Sequence, residues 1–358
     1  MRITSNIFYD HISQGLMENL KELDSLSTKI STGKKINKPS DDILGTLKTL
    51  DYKLTISQNN QGQQNIIAAN NYLNFASTVL TQVSSSISNL KKTILKTDGT
   101  SQDQTYYSQL VATLRDSLLD LSNSIYLNTY VFSGTLSDQE SYSYDAATHS
   151  YLYQGNNQQV SISIGPGNTL NSLNIVGSSP NSTTITPFGY TLAAADTVNL
   201  PSGSSAVLTP DILTNPNATT VNVAITDSQA NVDNFSFSNV IDVANLISHA
   251  WAQEDVDGTA LTGSQAQDRL ETLSGVLDQF QNQLLTVQGQ IGINQAQLND
   301  QKIKLTSNTT AQQNNISNIM DADMDETIVS LQKISTNLNA LRAASSKILS
   351  QSLFDFLQ

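Results

Sequence analysis

The sequence predicts a mainly α fold: N- and C-terminal helices pair into a long helical rod or coiled coil, and a β-rich outer domain is inserted between them. Three observations predict it. Ile66, Ala69, Leu73, Ala76, Leu80, Val83, Ile87, Leu90 and Ile94 step 3-4-3-4 along one stripe. Leu270, Leu273, Leu277, Phe280, Leu284, Val287, Ile291, Asn294 and Leu298 repeat the pattern near the other end, with Leu305 closing the run. Alternating 3 and 4 averages 3.5, the period that keeps a seam aligned with a partner helix. Third, residues 135–268 hold 12 acidic side chains and no lysine or arginine, and six of the chain's seven prolines. At about 1.5 Å per residue the two striped helices are roughly 40–50 Å long.

The first element is an amphipathic helix carrying Ile12, Leu16, Leu20, Leu23, Leu26 and Ile30, closed by Gly33 as a left-handed cap. Lys34 to Pro39 reads as an extended linker, because proline disfavours helix at the residue before it. Ser40-Asp41-Asp42 supplies oxygen acceptors for a new helix N-terminus. That helix is expected to run to about Lys96, with an interruption near Gly62. Asp98-Gly99 reads as a turn, and Ser101 with Gln104 has capping-box spacing. The helix after them is expected to bury Leu110, Leu114, Leu118, Leu121 and Ile125 and to end near Ser133-Gly134.

Beyond 135 the period changes to 2. Tyr142 and Tyr144, Tyr151 and Tyr153, and Val160, Ile162 and Ile164 alternate between Gly, Pro and Asn turns. Leu173 to Val176, Thr183 to Ile185, Val198 to Leu200 and Val221 to Ile225 are further strand candidates. Helix is expected again over 237–253, with Val240, Val243, Ile247 and Ala250 on one face. A second capping box is read at Ser264 and Gln267, ahead of the long helix from Leu270. Its seam turns polar at Asn308, Gln312 and Asn315, which reads as a bend or an interface. Gly289 and Gly292 inside it suggest close helix approach or flexibility. A last amphipathic run carries Met324, Ile328, Leu331, Ile334, Leu338, Leu341 and Ile348, then Leu353, Phe354, Phe356 and Leu357.

These elements group into three domains: 1–42 with 321–358 as a terminal coiled coil, 43–136 with 260–320 as a helical rod, and 137–259 as an acidic β-rich outer domain. An exposed apolar stripe aggregates, so the terminal helices need partners. The residues expected to make the assembly interface are Leu16, Leu20, Leu23 and Leu26, and Ile328, Leu331, Leu338 and Leu341.

Composition excludes several classes of function. The chain has no cysteine, so it has neither disulfides nor thiolate chemistry. The net charge of −13 sits almost wholly in the middle and argues against nucleic acid and anionic membrane. His11, His149 and His249 share no ligand or triad spacing. Asp321, Asp323 and Asp325 start like a calcium loop, but Glu326 stands where that loop needs glycine and Gln332 where it needs glutamate. No catalytic residue, metal or cofactor is expected. Met1 to Asn6 lacks the apolar core of a secretory signal, and no window reaches the roughly 20 apolar residues of a membrane span.

With both ends read, the chain resembles the flagellin family. The resemblance rests on Arg2-Ile3-Thr4-Ser5-Asn6, on Ser31-Thr32-Gly33-Lys34-Lys35-Ile36-Asn37-Lys38-Pro39-Ser40-Asp41-Asp42, and on Tyr130-Val131-Phe132-Ser133-Gly134. At the back it rests on Ile319 to Met324 and on Ser352-Leu353-Phe354-Asp355-Phe356-Leu357. The proline before Ser-Asp-Asp, the Val-Phe-Ser-Gly string and the Ser-Leu-Phe-Asp ending are closer to the family's hook–filament junction members than to filament flagellin. The resemblance implies a structural adaptor of the bacterial flagellum, not an enzyme. It implies extracellular assembly after type III export without a cleaved signal. The implied partners are a hook-associated protein on the hook side, flagellin on the filament side, and further copies in a ring. It also implies an export chaperone on the C-terminal helix, for which Leu353, Phe354, Phe356 and Leu357 are the candidate contacts. Filament flagellin, and a surface adhesin on a helical stalk, are the alternatives.

Overall fold

A computed structural model describes residues 2–96, 101–170, 173, 175–178, 185–190, 195–210 and 220–356. Side chains are described within 10–96, 103–170, 173, 175–178, 185–190, 195–210 and 220–346. Six helices and ten short strands are named among them: α1 (Arg2–Thr32), α2 (Ile43–Ile94), α3 (Ser101–Ser122), α4 (Val240–Ala252), α5 (Gly263–Met320) and α6 (Met324–Phe356). The strands are β1 (Ile125–Tyr126), β2 (Thr129–Tyr130), β3 (Tyr142–Asp145), β4 (Ser150–Tyr153), β5 (Ile162–Ser163), β6 (Thr169–Leu170), β7 (Asp196–Asn199), β8 (Ser205–Pro210), β9 (Val221–Thr226) and β10 (Val232–Phe237). The chain divides into two compact units: 1–61 with 304–358, and 62–303. The expected helix pairing and the expected β insertion are both present.

In the larger unit, every member of the 66–94 stripe and of the 270–298 stripe is buried. The two helices run antiparallel, in a register marked by a polar ladder at heptad intervals. Gln281 Nε2 donates to Ser88 Oγ (3.2 Å), Gln288 Nε2 to Thr81 Oγ1 (3.3 Å) and Gln295 Nε2 to Asn74 Oδ1 (2.8 Å). Lys91 and Asp278 pair in the same register. Each step of seven on α2 is thus answered by a step of seven on α5. The apolar seam supplies the free energy, at about 1.5–3 kcal/mol per buried large side chain. The flanking amides penalise any slip by leaving their partners unmatched.

Several expectations need correction. No interruption occurs at Gly62; α2 is one helix from Ile43 to Ile94. The irregularity there is in the seam's phase, because inward positions step from half-buried Ile56 to Asn59 to Gly62 and only then to Ile66. Two successive steps of three shift a stripe around the helix without breaking it. In α5 the step from Leu305 to Thr309 is four where three was expected, so Asn308 turns outward and Thr309, Gln312 and Ile316 take the inward places. The helix continues unbroken to Met320. A Cβ on Gly289 or Gly292 would meet nothing within 4 Å, so neither glycine marks a close approach.

Helix α3 ends at Ser122, well before the expected end near Ser133-Gly134, and Ile125 is exposed. Leu127 and Asn128 both take left-handed backbone (φ 48° and 64°), which makes the two-residue turn of the β1–β2 hairpin. Tyr126 from that hairpin packs on Tyr72 and Phe75 of α2. The next segment is buried: Val131, Phe132 and Ser133 are inaccessible. Gly134 has φ 73°, and a Cβ there would lie 2.2 Å from Asn156 O. The Phe132 carbonyl accepts from Gly177 N (2.8 Å) and Tyr153 Oη (2.8 Å). The Val-Phe-Ser-Gly string is therefore a buried organiser of the β region.

The tyrosine alternation does form a hairpin, with Tyr142 opposite Tyr153 and Tyr144 opposite Tyr151. Ile162 pairs with Leu170 around the Gly165-Pro166-Gly167 turn, while Val160 lies outside the strand. Leu173, Ile175, Val176 and Ile185 are in no strand; Asn174, Thr183 and Thr184, like the Asp98-Gly99 turn, lie outside the described residues. The main sheet is antiparallel, in the order β10-β9-β8-β7. Its strands β8 and β10 were not anticipated. One face is apolar: Ala206, Leu208, Val221, Val223, Ile225, Phe235 and Phe237 are buried. Helix α4 begins at Val240, not 237, because Asn239 caps it by accepting from Ile241 N (3.0 Å) and Asp242 N (2.9 Å). It is buried on nearly every side rather than along one stripe. The cap of α5 is also displaced: Thr262 and Gln265 form the reciprocal box, Thr262 N to Gln265 Oε1 (2.9 Å) and Gln265 N to Thr262 Oγ1 (3.2 Å).

Arg269 fixes the start of α5 to the inner face of the sheet. Its guanidinium donates to both Asp233 oxygens (2.6 and 2.7 Å) and both Asp255 oxygens (3.0 Å each), and it stacks 4.9 Å from the Phe235 ring centroid. Next to it, Asp268 accepts from Ser204 Oγ (2.7 Å) in the β7–β8 turn. The first basic residue after the long acidic stretch is thus the one that anchors it.

Candidate assembly interface

In the smaller unit α1 packs on α6. Leu26, Ile334 and Leu338 form its buried core, with Leu16, Leu23 and Leu331 partly buried against it. Of the expected interface residues, Leu26 and Leu338 are therefore internal, and Leu16, Leu23, Leu331 and Leu341 are half-buried. Leu20 and Ile328 remain exposed, as do Met17, Met324 and Val329. The expected chaperone contacts Leu353, Phe354, Phe356 and Leu357 have side chains outside the described residues.

The Ser-Thr-Gly-Lys…Pro-Ser-Asp-Asp string forms a backbone clasp. Gly33 caps α1 at φ 69°, and its N–H donates to Lys29 O (2.8 Å). Lys34 then makes an antiparallel bridge with Asp321. Lys35 N donates to Met320 O (2.7 Å), Ala322 N to Gly33 O (2.9 Å) and Lys35 Nζ to Asn318 O (3.1 Å). Asp41 Oδ2 accepts from Asn37 N (2.9 Å) and Lys38 N (2.8 Å). Those two N–H groups, that of Lys38 foremost, hold the Asp41 carboxyl below the usual carboxylate range. Asp42 Oδ1 accepts from Gly45 N (2.9 Å) at the start of α2. A Cβ on Gly45 would come within 2.5 Å of Asp42 Oδ2 and 2.9 Å of Ile36 Cδ1, so a side chain there would displace the tips of both. The aspartates that resembled a calcium loop are helix-end groups. Asp323 Oδ1 accepts from Asp325 N (3.0 Å) and Glu326 N (3.1 Å), and Asp321 accepts from Ser317 Oγ. Among the described residues no group of three His, Cys, Asp or Glu has metal-binding geometry.

The sequence reading missed the most exposed apolar surface. On the first three turns of α2, Ile43, Leu44, Leu47, Leu50 and Leu54 are 58–72 % exposed. Ile43, Leu47, Leu50 and Leu54 step 4-3-4, so they form one stripe. The opposite face of the same segment is buried and mostly small or polar: Gly45, Thr49 and Asn59, with Tyr52 and Ile56 half-buried. Thr49 Oγ1 and Asn59 Oδ1 have no hydrogen-bond partner there. The patterning of this segment is inverted, with leucines outside and Thr, Asn and Gly inside. The signal was present as a second 3-4 stripe, hidden because the 66–94 stripe follows a different phase of the same helix.

Residues 3–137 match the model of the bacterial flagellin N-terminal helical region. This N-terminal stretch is flagellin-like. Over 157 residues the chain is 29 % identical to flagellar hook-associated protein 3 of Salmonella typhimurium, a match covering 42 % of this chain and 48 % of that one. Over 138 residues it is 28 % identical to flagellar hook-associated protein 3 of Escherichia coli, covering 37 % and 44 %. The chain thus spans about half the length of the curated relatives it matches. The fold is similar to that of a flagellar hook-associated protein from Vibrio parahaemolyticus (TM-score 0.55, 17 % identity, 78 % of this chain and 100 % of that one). It is similar too to hook-associated protein 3 from Legionella pneumophila (TM-score 0.54, 15 % identity, 75 % and 98 %). The flagellin-like N-terminal region contains the clasp string, the inverted α2 segment and the Val-Phe-Ser-Gly string. No described helix is long and apolar enough to cross a membrane.

Proposed function

We propose that this chain is a structural adaptor of the bacterial flagellum that joins hook to filament through helical subunit packing, without turnover. The observation that carries the reading is the inverted segment of α2. A helix that turns four leucine-class side chains outward in a regular stripe is built to be covered. Together with exposed Leu20 and Ile328, the stripe extends the predicted assembly surface of Leu16, Leu23, Leu26, Leu331, Leu338 and Leu341, whose buried members hold the helices that carry it. The neighbours we assign are a hook-associated protein on one side, flagellin on the other, and further copies in a ring. Export without a cleaved signal, an extracellular location and a chaperone holding Leu353, Phe354, Phe356 and Leu357 belong to the same proposal. So does a division into 1–42 with 321–358, 43–136 with 260–320, and 137–259, whose first boundary falls at the clasp.

A deletion strain tests it. The expected phenotype is completed hooks, no filaments, and flagellin monomers shed into the medium. Normal motility would end the proposal. The match to the flagellin N-terminal region favours filament flagellin as the second reading. Self-polymerisation of the purified chain into long filaments would select it.

A further inference from the structure

The tip of the β5–β6 hairpin reaches both long helices at one level. Asn65 Nδ2 on α2 donates to Ser163 O (2.8 Å), and Gln301 Nε2 on α5 donates to Ile164 O (3.3 Å). The Gln288–Thr81 and Gln295–Asn74 contacts are seven residues apart on each helix. One further step of seven sets 67 on α2 opposite 302 on α5, so both donors lie within a turn of that level. The tip itself is well fixed. Ile164 N donates to Asn168 O (3.0 Å), Asn168 N donates to Gly165 O (3.1 Å), and Gly167 takes φ 71° in the turn. Ile164 and Leu170 are both buried. This is also the level at which the inward face changes character. From Ile66 to Ile94 it is Ile, Leu, Val and Ala. On the other side come Gly62, Asn59 and Thr49. There Asn59 Nδ2 reaches Thr309 Oγ1 at 3.4 Å, while Asn59 Oδ1 and Thr49 Oγ1 are buried without a partner. The boundaries of the two compact units, at 61/62 and 303/304, fall within a turn of Asn65 and Gln301.

We propose that the β5–β6 hairpin is a staple across α2 and α5, which stops local opening of the weakly packed 43–61 and 304–320 stretches from running into the 66–94 and 270–298 seam. Helical stretches with little apolar burial open at low free energy, and opening spreads along a helix until something resists it. Here the resistance is two hydrogen bonds from two helices to successive carbonyls of one hairpin. Parting the helices at this level breaks at least one of them, and an end-on fray of either helix breaks its own. The inference concerns the free chain and stands independently of the adaptor reading.

The test is amide hydrogen exchange, read by mass spectrometry on the full free chain. In the wild type, 43–61 and 304–320 should exchange at least about tenfold faster than 66–94 and 270–298, with the step between 61 and 66. Asn65→Asp with Gln301→Glu keeps shape and nearly keeps helix propensity, but a carboxylate donates no hydrogen to a carbonyl. This double variant should keep the native circular dichroism and exchange at least about fivefold faster over 66–73 and 291–301, with 80–94, 270–284 and the β8–β9 pair unchanged. Gln297→Glu, at an exposed position of α5, adds the same charge away from the hairpin and should match the wild type. A wild type without the step, unchanged exchange in the double variant, acceleration or loss of circular dichroism spread over all of 62–303, or the same effect from Gln297→Glu would each overturn the proposal.

Discussion

Arg269→Met should unlock the β sheet from the start of α5. The wild-type guanidinium makes four hydrogen bonds to two carboxylates and is about 1 % exposed, while Asp233 and Asp255 are 12 % and 22 % exposed. Methionine fills much of the volume but leaves both carboxylates without their cation. Breaking a buried pair from one side costs about 3–5 kcal/mol, because an uncompensated charge remains. With a urea slope of about 1–3 kcal/mol per molar, the unfolding midpoint of this region falls by roughly 1–5 M. The chain's single tryptophan, Trp251 in α4, reports on it, being buried and stacked 4.9 Å from Tyr107.

Two controls separate the ion pair from general damage. Adding Asp233→Asn and Asp255→Asn to Arg269→Met should recover part of the loss, since neutral amides tolerate burial that carboxylates do not. The pH response should change as well. Burial pushes the Asp255 carboxyl up, but Arg269 and the Val256 N–H pull it down further, so it ends below its ordinary value. A depressed folded value stabilises above the unfolded value of 3.8, and that stability is lost as pH falls through the folded one. Arg269→Met should remove this acid-limb loss. A stability loss under about 0.5 kcal/mol, or no recovery in the triple variant, would refute the anchoring role.

Three further outcomes follow from the same geometry. Leu47→Asp with Leu50→Asp should leave monomer stability within about 0.5 kcal/mol, as expected of exposed sites, yet yield hooks without filaments; normal filaments would count against the α2 stripe. Gly134→Ala places a methyl 2.2 Å from Asn156 O at φ 73°, so it should cost at least about 1–3 kcal/mol by Trp251-monitored unfolding. Asp242 is buried, and burial pushes its carboxyl up to about 6 despite N–H donors at Tyr151, Ser238 and Asn239. A raised folded value means that stability falls, by roughly 3 kcal/mol in all, as pH rises from 3.8 through about 6; Asp242→Asn should flatten that slope in a pH series of unfolding curves.

What was legible follows from the range of each signal. The two long stripes repeat over many heptads, so their period outweighs any single residue, and every member is buried. The Tyr142–Tyr153 hairpin was legible for the same reason. Local signals were less secure. Ser264 with Gln267 has the spacing of a capping box, but Thr262 with Gln265 uses it, and Gln267 instead donates to Glu271 (3.3 Å). Ile125 continued the α3 stripe in phase, yet it lies in a hairpin whose turn demands two left-handed residues. Strand β8 was lost in a Ser-, Thr- and Pro-rich stretch, and β10 carries Asp233 at an inward position. That aspartate makes sense only with Arg269, 36 residues away. No local pattern encodes a contact of that reach.

The inverted segment of α2 bears most directly on function, because its two faces obey different requirements. Where α2 and α5 pair in the larger unit, the inward positions are Ile, Leu, Val and Ala, and burial alone holds the helix. At Gly45, Thr49 and Asn59 the inward positions contribute little transfer free energy, and two buried oxygens there lack partners. Each such oxygen costs about 1–3 kcal/mol, so this face is a poor core. The segment's apolar side chains, Ile43, Leu47, Leu50 and Leu54, instead point to solvent. A helix optimised for its own monomer would exchange the two faces. The arrangement is favourable only when something covers the outer one, and the proposed assembly would supply the stabilisation that this segment lacks in the free chain.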